Sequence, residues 1–470
     1  MSVKRLSNWK LIAYGQLVMP LAVIGLPVAI YIPPFYSGTL GLNLAAIGFI
    51  LMIARLSDVV TDPLVGALSD RTHTRWGRRR PWVLVGIPLM MLSGYMLFVP
   101  PGEVSNLYLL IWISAIYFAF TLIVIPYSAW GAEISGDYQE RNRIAGSREI
   151  FLLIGLLMSI TAPIVGAYLF DHDGNSAGRG AMAVLGWLPV ALLPVCGLVM
   201  FLSVPEPQPK QIQNIPFRKG LRIVMRNGPF RILLTTSVLG ALAGSINAGV
   251  AVLFFEHVAN FGTMSSVLIF LLFAAGVVGS PFWVTLGNRI GKHKGIAVAG
   301  IASLSAFALV PVVIYAVKPD HPDLVLPLML AITLVQGLSM GAAPILGPSI
   351  LADVVDLDTL KSGEQRTAFI FAFLGMVRKG AEAAGVGIAL PILGWIGFNP
   401  QIKTNTPEAL FTLTAMYCLV PLVLWVISVS IIWRFPITKE RQKRLRTALE
   451  KRVARRAAAQ VAETEIRLFE

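Results

Sequence analysis

Two segments that are otherwise apolar carry three ionisable residues each: Arg55, Asp58 and Asp62 in one, Arg378, Lys379 and Glu382 in the other. A charge at the centre of a bilayer costs at least about 2.5–3.5 kcal/mol, so each such group needs a partner or a task. Spacings of three and four put Arg55, Asp58 and Asp62 on one face of a helix. Two carboxylates a turn apart repel each other unless a cation or a proton lies between them. Reversible capture of a small cation is the chemistry this pattern suits; a fixed ion-pair network through Arg55 is the competing reading. Thr61 adjoins Asp62, and Thr121 lies in another apolar run. Hydroxyl and carboxylate oxygens together suit a hard cation such as Na+, with Asp58 and Asp62 as its charged ligands. A lone Thr in a membrane helix also bonds back to its own backbone. Lys379 and Glu382, three apart, are expected to neutralise each other. Arg148, followed by Glu149, and Lys379 are expected to face a central cavity, hold a polar or anionic solute, or exchange partners with Asp58 and Asp62. Arg148 has the alternative of reaching out to the membrane surface.

The elements that must position these groups follow from composition. Of 470 residues, 56% are apolar and 14% charged, and the mean hydropathy is +0.71. Soluble chains carry about 25% charge, so a soluble enzyme, a disordered chain and a nucleic-acid-binding domain are excluded. Runs long enough to span a bilayer lie near 11–36, 44–69, 81–99, 107–132, 144–170, 181–204, 229–256, 264–287, 295–317, 324–350, 366–396 and 408–435. This predicts an all-α membrane protein of twelve spans. Its parts are a six-helix bundle over 1–204, a linker over 205–228, a second bundle over 229–435 and a basic tail over 436–470. The net charge of +14 comes from Lys and Arg between the runs. Arg71, Arg75, Arg78, Arg79 and Arg80 follow span two, and Lys210, Arg218, Lys219, Arg222 and Arg226 lie in the linker. The opposite connections carry only Arg179, Lys318 and Lys403. That asymmetry places both termini in the cytoplasm. The first apolar run is too long for the core of a signal peptide and is read as a retained span. Cys196 and Cys418 imply neither a disulfide framework nor a Cys-based metal site.

The two bundles resemble each other in sequence. Pro63 with Asp70-Arg71 is echoed by Pro281 with Asn288-Arg289 at an offset of 218, and Ala132-Glu133-Ile134 by Ala352-Asp353-Val354 at 220. Glu140 and Arg143 are echoed by Glu364 and Arg366. Such duplication is typical of secondary transporters, whose solute site lies between the halves near the midplane.

The stretch Asp58-Val59-Val60-Thr61-Asp62-Pro63, followed by Ser69-Asp70-Arg71-Thr72 and Arg75-Trp76-Gly77-Arg78-Arg79-Arg80-Pro81-Trp82, resembles the glycoside–pentoside–hexuronide cation symporters, the melibiose-permease-like family. Thr121 with Ile125-Pro126, the Glu140-Arg141 loop, Ala352-Asp353-Val354-Val355-Asp356 and the Lys379 region extend the resemblance over nearly the whole chain. It implies the major facilitator fold and cation-coupled symport by alternating access. It puts the cation site on Asp58, Asp62 and Thr121, with Thr61 at a position that is Asn in the melibiose permease, leaving Na+ and H+ both open. It puts cytoplasmic gate pairs on Arg141 with Asp353 and on Arg366 with Asp356, beside Asp70 and Arg71.

The family's sugar-binding pattern is altered here. Val124 replaces an acid, Ser128 a Trp (with Tyr127 and Trp130 close by), and Ala22 aligns near a second acid. Buried hydroxyls without partners cost about 1–3 kcal/mol each, so this cavity suits an anionic glycoside of hexuronide type better than a neutral galactoside. It also suits a lysolipid or similar amphiphile, since the sodium-dependent lysolipid transporters are similar to this same family. Tyr127, Trp130 and Val124 join Arg148 and Lys379 as expected substrate residues. Lys439 to Arg456 holds nine basic and two acidic residues, either a helix on anionic lipid or a solvated one. No cofactor is expected beyond the coupling ion, and a monomer in the inner (cytoplasmic) membrane is the expected state. A lipid-processing enzyme is the remote alternative, because His73, His172, His257, His293 and His321 form no metal-ligand cluster in sequence.

Overall fold

Apolar runs of this length can satisfy their backbone groups in lipid only as helices or closed barrels, and helices form. The computed structural model describes residues 6–72, 74–134, 138–171, 178–206, 224–262, 264–362, 367–402, 404–442, 444, 445 and 447, with backbone alone at 132, 138, 139, 141, 142, 361, 362, 367 and 368. The first six long helices are α1 (Asn8–Ile30), α2 (Leu44–Arg71), α3 (Arg80–Phe98), α4 (Asn106–Ile134), α5 (Tyr138–Gly166) and α6 (Arg179–Ser203). The last six are α7 (Gly228–His257), α8 (Met264–Ile290), α9 (Lys292–Val312), α10 (Pro322–Leu360), α11 (Thr367–Trp395) and α12 (Pro407–Trp433). Among the described residues, eleven helices are long and apolar enough to cross a membrane. The 29-residue α11 falls outside that set because Arg378, Lys379 and Glu382 interrupt its apolar run. The chain is a multi-pass membrane protein, and apolar side chains such as Leu202, Val278 and Trp395 cover its outside.

Small residues set where the helices approach. Within the last six, a Cβ on Gly337 of α10 would lie 2.4 Å from the Leu272 carbonyl oxygen of α8, the close backbone contact that small residues permit in membranes. The same device joins the two groups of helices. Gly48 of α2 lies against Leu390 and Pro391 of α11, Gly394 against Ala45, and Gly387 against Met52. A Cβ on Gly387 would sit 2.3 Å from Met52 Sδ. This seam runs along the start of α2, the end of the molecule away from the chain termini. Toward the termini, a Cβ on Gly146 of α5 or Gly375 of α11 would meet nothing within 4 Å.

Helix α2 is broken where its charges begin. Its two stretches, Leu44–Leu56 and Asp58–Arg71, meet at Ser57, whose Oγ donates to the Ala54 carbonyl at 2.7 Å. Pro63, inside the second stretch, has no N–H to offer the preceding turn. The break and the missing bond fall on either side of Asp58 and Asp62.

Candidate functional site

Asp58 is 2% exposed, and a buried carboxylate is tolerated only with partners. Its Oδ2 accepts from Arg55 Nη1 at 3.1 Å and from Lys379 Nζ of α11 at 3.3 Å. Asp62 Oδ2 accepts from the same Lys379 Nζ at 2.5 Å. Its Oδ1 accepts from Thr121 Oγ1 of α4 at 2.8 Å. Arg55 Nη2 donates to Glu382 Oε2 at 3.1 Å, and Arg378 Nε donates to Glu382 Oε1 at 3.0 Å. The Arg55 guanidinium also lies 5.0 Å from the centre of the Tyr117 ring, a favourable cation–π distance. Ser245 Oγ of α7 donates to the Glu382 backbone carbonyl and anchors this stretch of α11.

The structure therefore gathers Arg55, Asp58, Asp62, Thr121, Arg378, Lys379 and Glu382 between α2, α4 and α11. Three basic groups face three acidic ones, so the cluster is neutral as it stands. The expected Lys379–Glu382 pair does not form. Lys379 reaches across to α2, where two carboxylates compete for one ammonium, and Glu382 is taken by Arg55 and by Arg378 one turn away. Asp58 Oδ1 is buried without a hydrogen-bond partner, and so is the Oγ1 of Thr61, the residue before Asp62. Carboxylate and hydroxyl oxygens are the donors that suit a hard cation.

The other expected substrate residues are placed differently. Tyr127 stacks on Tyr14 with ring centres 4.5 Å apart; each hydroxyl donates to the other residue's backbone carbonyl at 3.0 Å. Trp130 is fully buried, and its Nε1 donates to the Pro205 carbonyl at 2.9 Å. Both polar handles are therefore spent inside the first six helices. Val124 is half-buried against the same core. Arg148 pairs with its neighbour Glu149 at 3.0 Å and keeps about a third of its side chain exposed.

A second charged cluster closes the terminal-side corner of the first six helices. Arg79, only 2% exposed, donates to Ser69 Oγ at 2.8 Å and to Glu133 Oε1 at 2.8 Å, and pairs with Asp70 at 2.5 Å. Arg78 Nη2 also reaches Glu133 Oε1, at 2.7 Å. Burial alone would raise the Glu133 pKa; the hydrogen bonds from Arg79 and Arg78 outweigh it and hold the carboxyl below its ordinary value. The corresponding corner of the last six helices pairs Lys292 Nζ with Asp353, at 2.9 and 2.7 Å, and Gln442 Nε2 with Asp353 Oδ1 at 2.7 Å. Of the expected gate pairs, Arg366 lies outside the described residues and Arg141 is described by its backbone alone, while Arg71 and Asp356 both have partners. Sequence reasoning passed over Arg78, Arg79 and Lys292 as site residues, although the Glu133–Asp353 echo marked both corners.

Residues 13–439 match the MFS/sugar transport protein family. The sodium-dependent lysophosphatidylcholine symporter 1 of Xenopus tropicalis is 26% identical, over 89% of this chain and 83% of its own length. The putative glycoside/cation symporter YagG of Escherichia coli (strain K12) is 25% identical, over 83% of this chain and 84% of its own. The solved nucleoside transporter NupG, as its D323A mutant, superposes with a TM-score of 0.65 at 14% identity, over 91% of this chain and 100% of its own. At that identity the superposition speaks for the fold alone.

Proposed function

The chain belongs to the MFS/sugar transport protein family, and from that premise we propose that it is a cation-coupled symporter of the inner (cytoplasmic) membrane. Two six-helix halves, 1–204 and 229–435, joined by the linker over 205–228, rock about a central site. In this reading α11 is the twelfth span, both termini face the cytoplasm, and the seam of Gly48, Gly387 and Gly394 closes the outer side. The chain works without a cofactor, as a monomer, and catalyses no covalent chemistry.

The observation that carries the proposal is Lys379 Nζ lying between Asp58 and Asp62 in a cluster of balanced charge. An entering Na+ or proton takes the place of the ammonium, held by Asp58, Asp62, Thr61 and Thr121. The cluster then carries one excess positive charge, and the released Lys379 is free to bind an acidic group on the solute. Cation and solute thus favour each other through one side chain, and each stabilises the state that binds the other. Arg148 offers a second positive group on the opposite half. Tyr127, Trp130 and Val124 shape the wall behind it. Rocking of the halves then makes and breaks the gate charges Asp70, Arg71, Arg141, Asp353, Asp356 and Arg366.

A glycoside-like solute with an acidic group, of hexuronide type, fits this arithmetic and the apolar Val124. The lysophosphatidylcholine symporter among the relatives supports a second reading, transport of a lysolipid whose phosphate meets Lys379. Thermal stabilisation of the purified protein by neutral sugars, uronides and lysolipids, with and without Na+, separates the readings, because a ligand of the native state raises its stability by mass action. Cation-enhanced stabilisation by an anionic or zwitterionic solute is expected. Stabilisation by neutral sugars alone would remove the role given to Lys379.

A further inference from the structure

The two terminal-side corners differ in what lies at the start of the helix that begins there. After α6 the chain reads Val204-Pro205-Glu206; after α12 it reads Phe435-Pro436-Ile437. Glu206 Oε1 accepts from the backbone N–H groups of Arg78 and Arg79, both at 2.7 Å, at the start of α3. Gly77, at φ 106°, makes room for that carboxylate; a Cβ there would lie 2.4 Å from Glu206 Cδ. The matching turn before α9 is Gly291, at φ 101°. Here Ile437 follows Pro436 as Glu206 follows Pro205, and no side chain caps the 21-residue α9.

A cavity of about 70 Å³ opens at that uncapped start, lined by Asn288, Lys292, His293, Asp353, Ile437 and Lys439 among others. His293 is 4% exposed. It lines the cavity, its imidazole makes no hydrogen bond among the described residues, and its ring lies 6.0 Å from the Phe435 ring between centres. Lys439 Nζ rests on the Asn288 carbonyl at 2.6 Å, and Lys292 Nζ on Asp353.

We propose that this cavity is a binding site for a phosphate-type oxyanion, which takes at α9 the place that the Glu206 carboxylate holds at α3. The free N–H groups and the positive end of a long helix attract an anion. Lys292 and Lys439 add charge, and the imidazole of His293 adds a buried hydrogen-bond donor. The Asp353 carboxylate is no obstacle, since in the first corner Glu133 and Glu206 share Arg78 and Arg79 in the same way. The oxyanion is either free phosphate or the headgroup of a lipid in the adjoining leaflet.

Thermal unfolding of the full-length chain tests this in two arms. One uses neutral detergent, with sodium phosphate against sodium chloride at matched ionic strength. The other uses nanodiscs of phosphatidylcholine, or of phosphatidylcholine and phosphatidylglycerol in equal parts. Stabilisation by phosphate in detergent identifies the free ion, and stabilisation only in the mixed nanodiscs identifies the headgroup. In either case Ile437→Glu, which supplies the missing carboxylate, is expected to unfold at a higher temperature without ligand and to need about tenfold more of it for the same shift. Lys439→Gln, at an exposed position, is expected to weaken the response too and serves if Ile437→Glu does not fold. No stabilisation in both arms overturns the proposal. So does a response in the folded variants equal to that of the unaltered chain.

Discussion

At the scale of single residues, charge balance decides what each group does. The Lys379 ammonium is shared by two carboxylates, so removing it leaves Asp58 and Asp62 facing each other with one positive charge fewer. Lys379→Gln is therefore expected to bind the coupling cation about tenfold more tightly, about 1.4 kcal/mol, while losing solute transport. Cation-dependent thermal shifts read the first effect and uptake reads the second; weaker cation binding would contradict the exchange. Glu133 gives a pH test. Its folded pKa lies below the ordinary value because the Arg79 and Arg78 bonds outweigh burial. Its contribution to stability is therefore complete above about pH 4.3, the ordinary glutamate value, and is lost as the pH falls through the lower folded value. Glu133→Gln is expected to cost about 2 kcal/mol near neutrality and to flatten the acid limb of a stability–pH curve; an unchanged limb would deny the carboxylate this role. The acidic pair of α2 was legible from spacing and residue type; the place of Thr121, which bonds Asp62, came from the family resemblance. The partners were not, because a spacing of three within α11 favoured Lys379 with Glu382, and only the packing of α2 against α11 makes the longer reach available.

At the scale of elements, glycines decide where the halves touch. Length of the apolar runs pointed to long helices, since twenty apolar residues in lipid leave little other choice, although α10 continues to Leu360 where its run was expected to end near 350. What sequence concealed was the seam, because Gly48, Gly387 and Gly394 look like ordinary small residues until the facing Leu390, Met52 and Ala45 are known. Gly387→Leu would push its side chain into Met52, which a Cβ alone already approaches within 2.3 Å. It is expected to open the seam and to raise, several-fold, the reactivity of an Ala45→Cys variant toward a membrane-impermeant maleimide. Unchanged reactivity would mean that the seam does not govern closure. The same scale explains how α11 carries three charges: Lys379 and Glu382 are met by Asp58, Asp62 and Arg55 of α2, and Arg378 by Glu382 one turn away.

At the scale of the whole molecule, the duplication of the halves was visible in the echoes of Pro63 and Pro281, of Glu133 and Asp353. Both echoed acids lie in charged corners, but the echo did not reveal that Lys292 and Gln442 would meet Asp353, since neither aligns with a basic residue of the first corner by a constant offset. The proposed rocking of the halves requires the bonds from Lys379 to Asp58 and Asp62, and from Arg55 to Glu382, to be exchanged for others. The most direct measurement is coupled flux. In proteoliposomes holding the purified chain, an inward gradient of the solute that stabilises it is imposed, and the uptake of radioactive sodium and of protons is followed. Uptake of one of these cations that depends on solute, and that disappears in both Asp58→Asn and Asp62→Asn while the variants remain folded, is the predicted result. Solute movement with cation uptake unaltered in both variants would contradict a coupling site between α2 and α11.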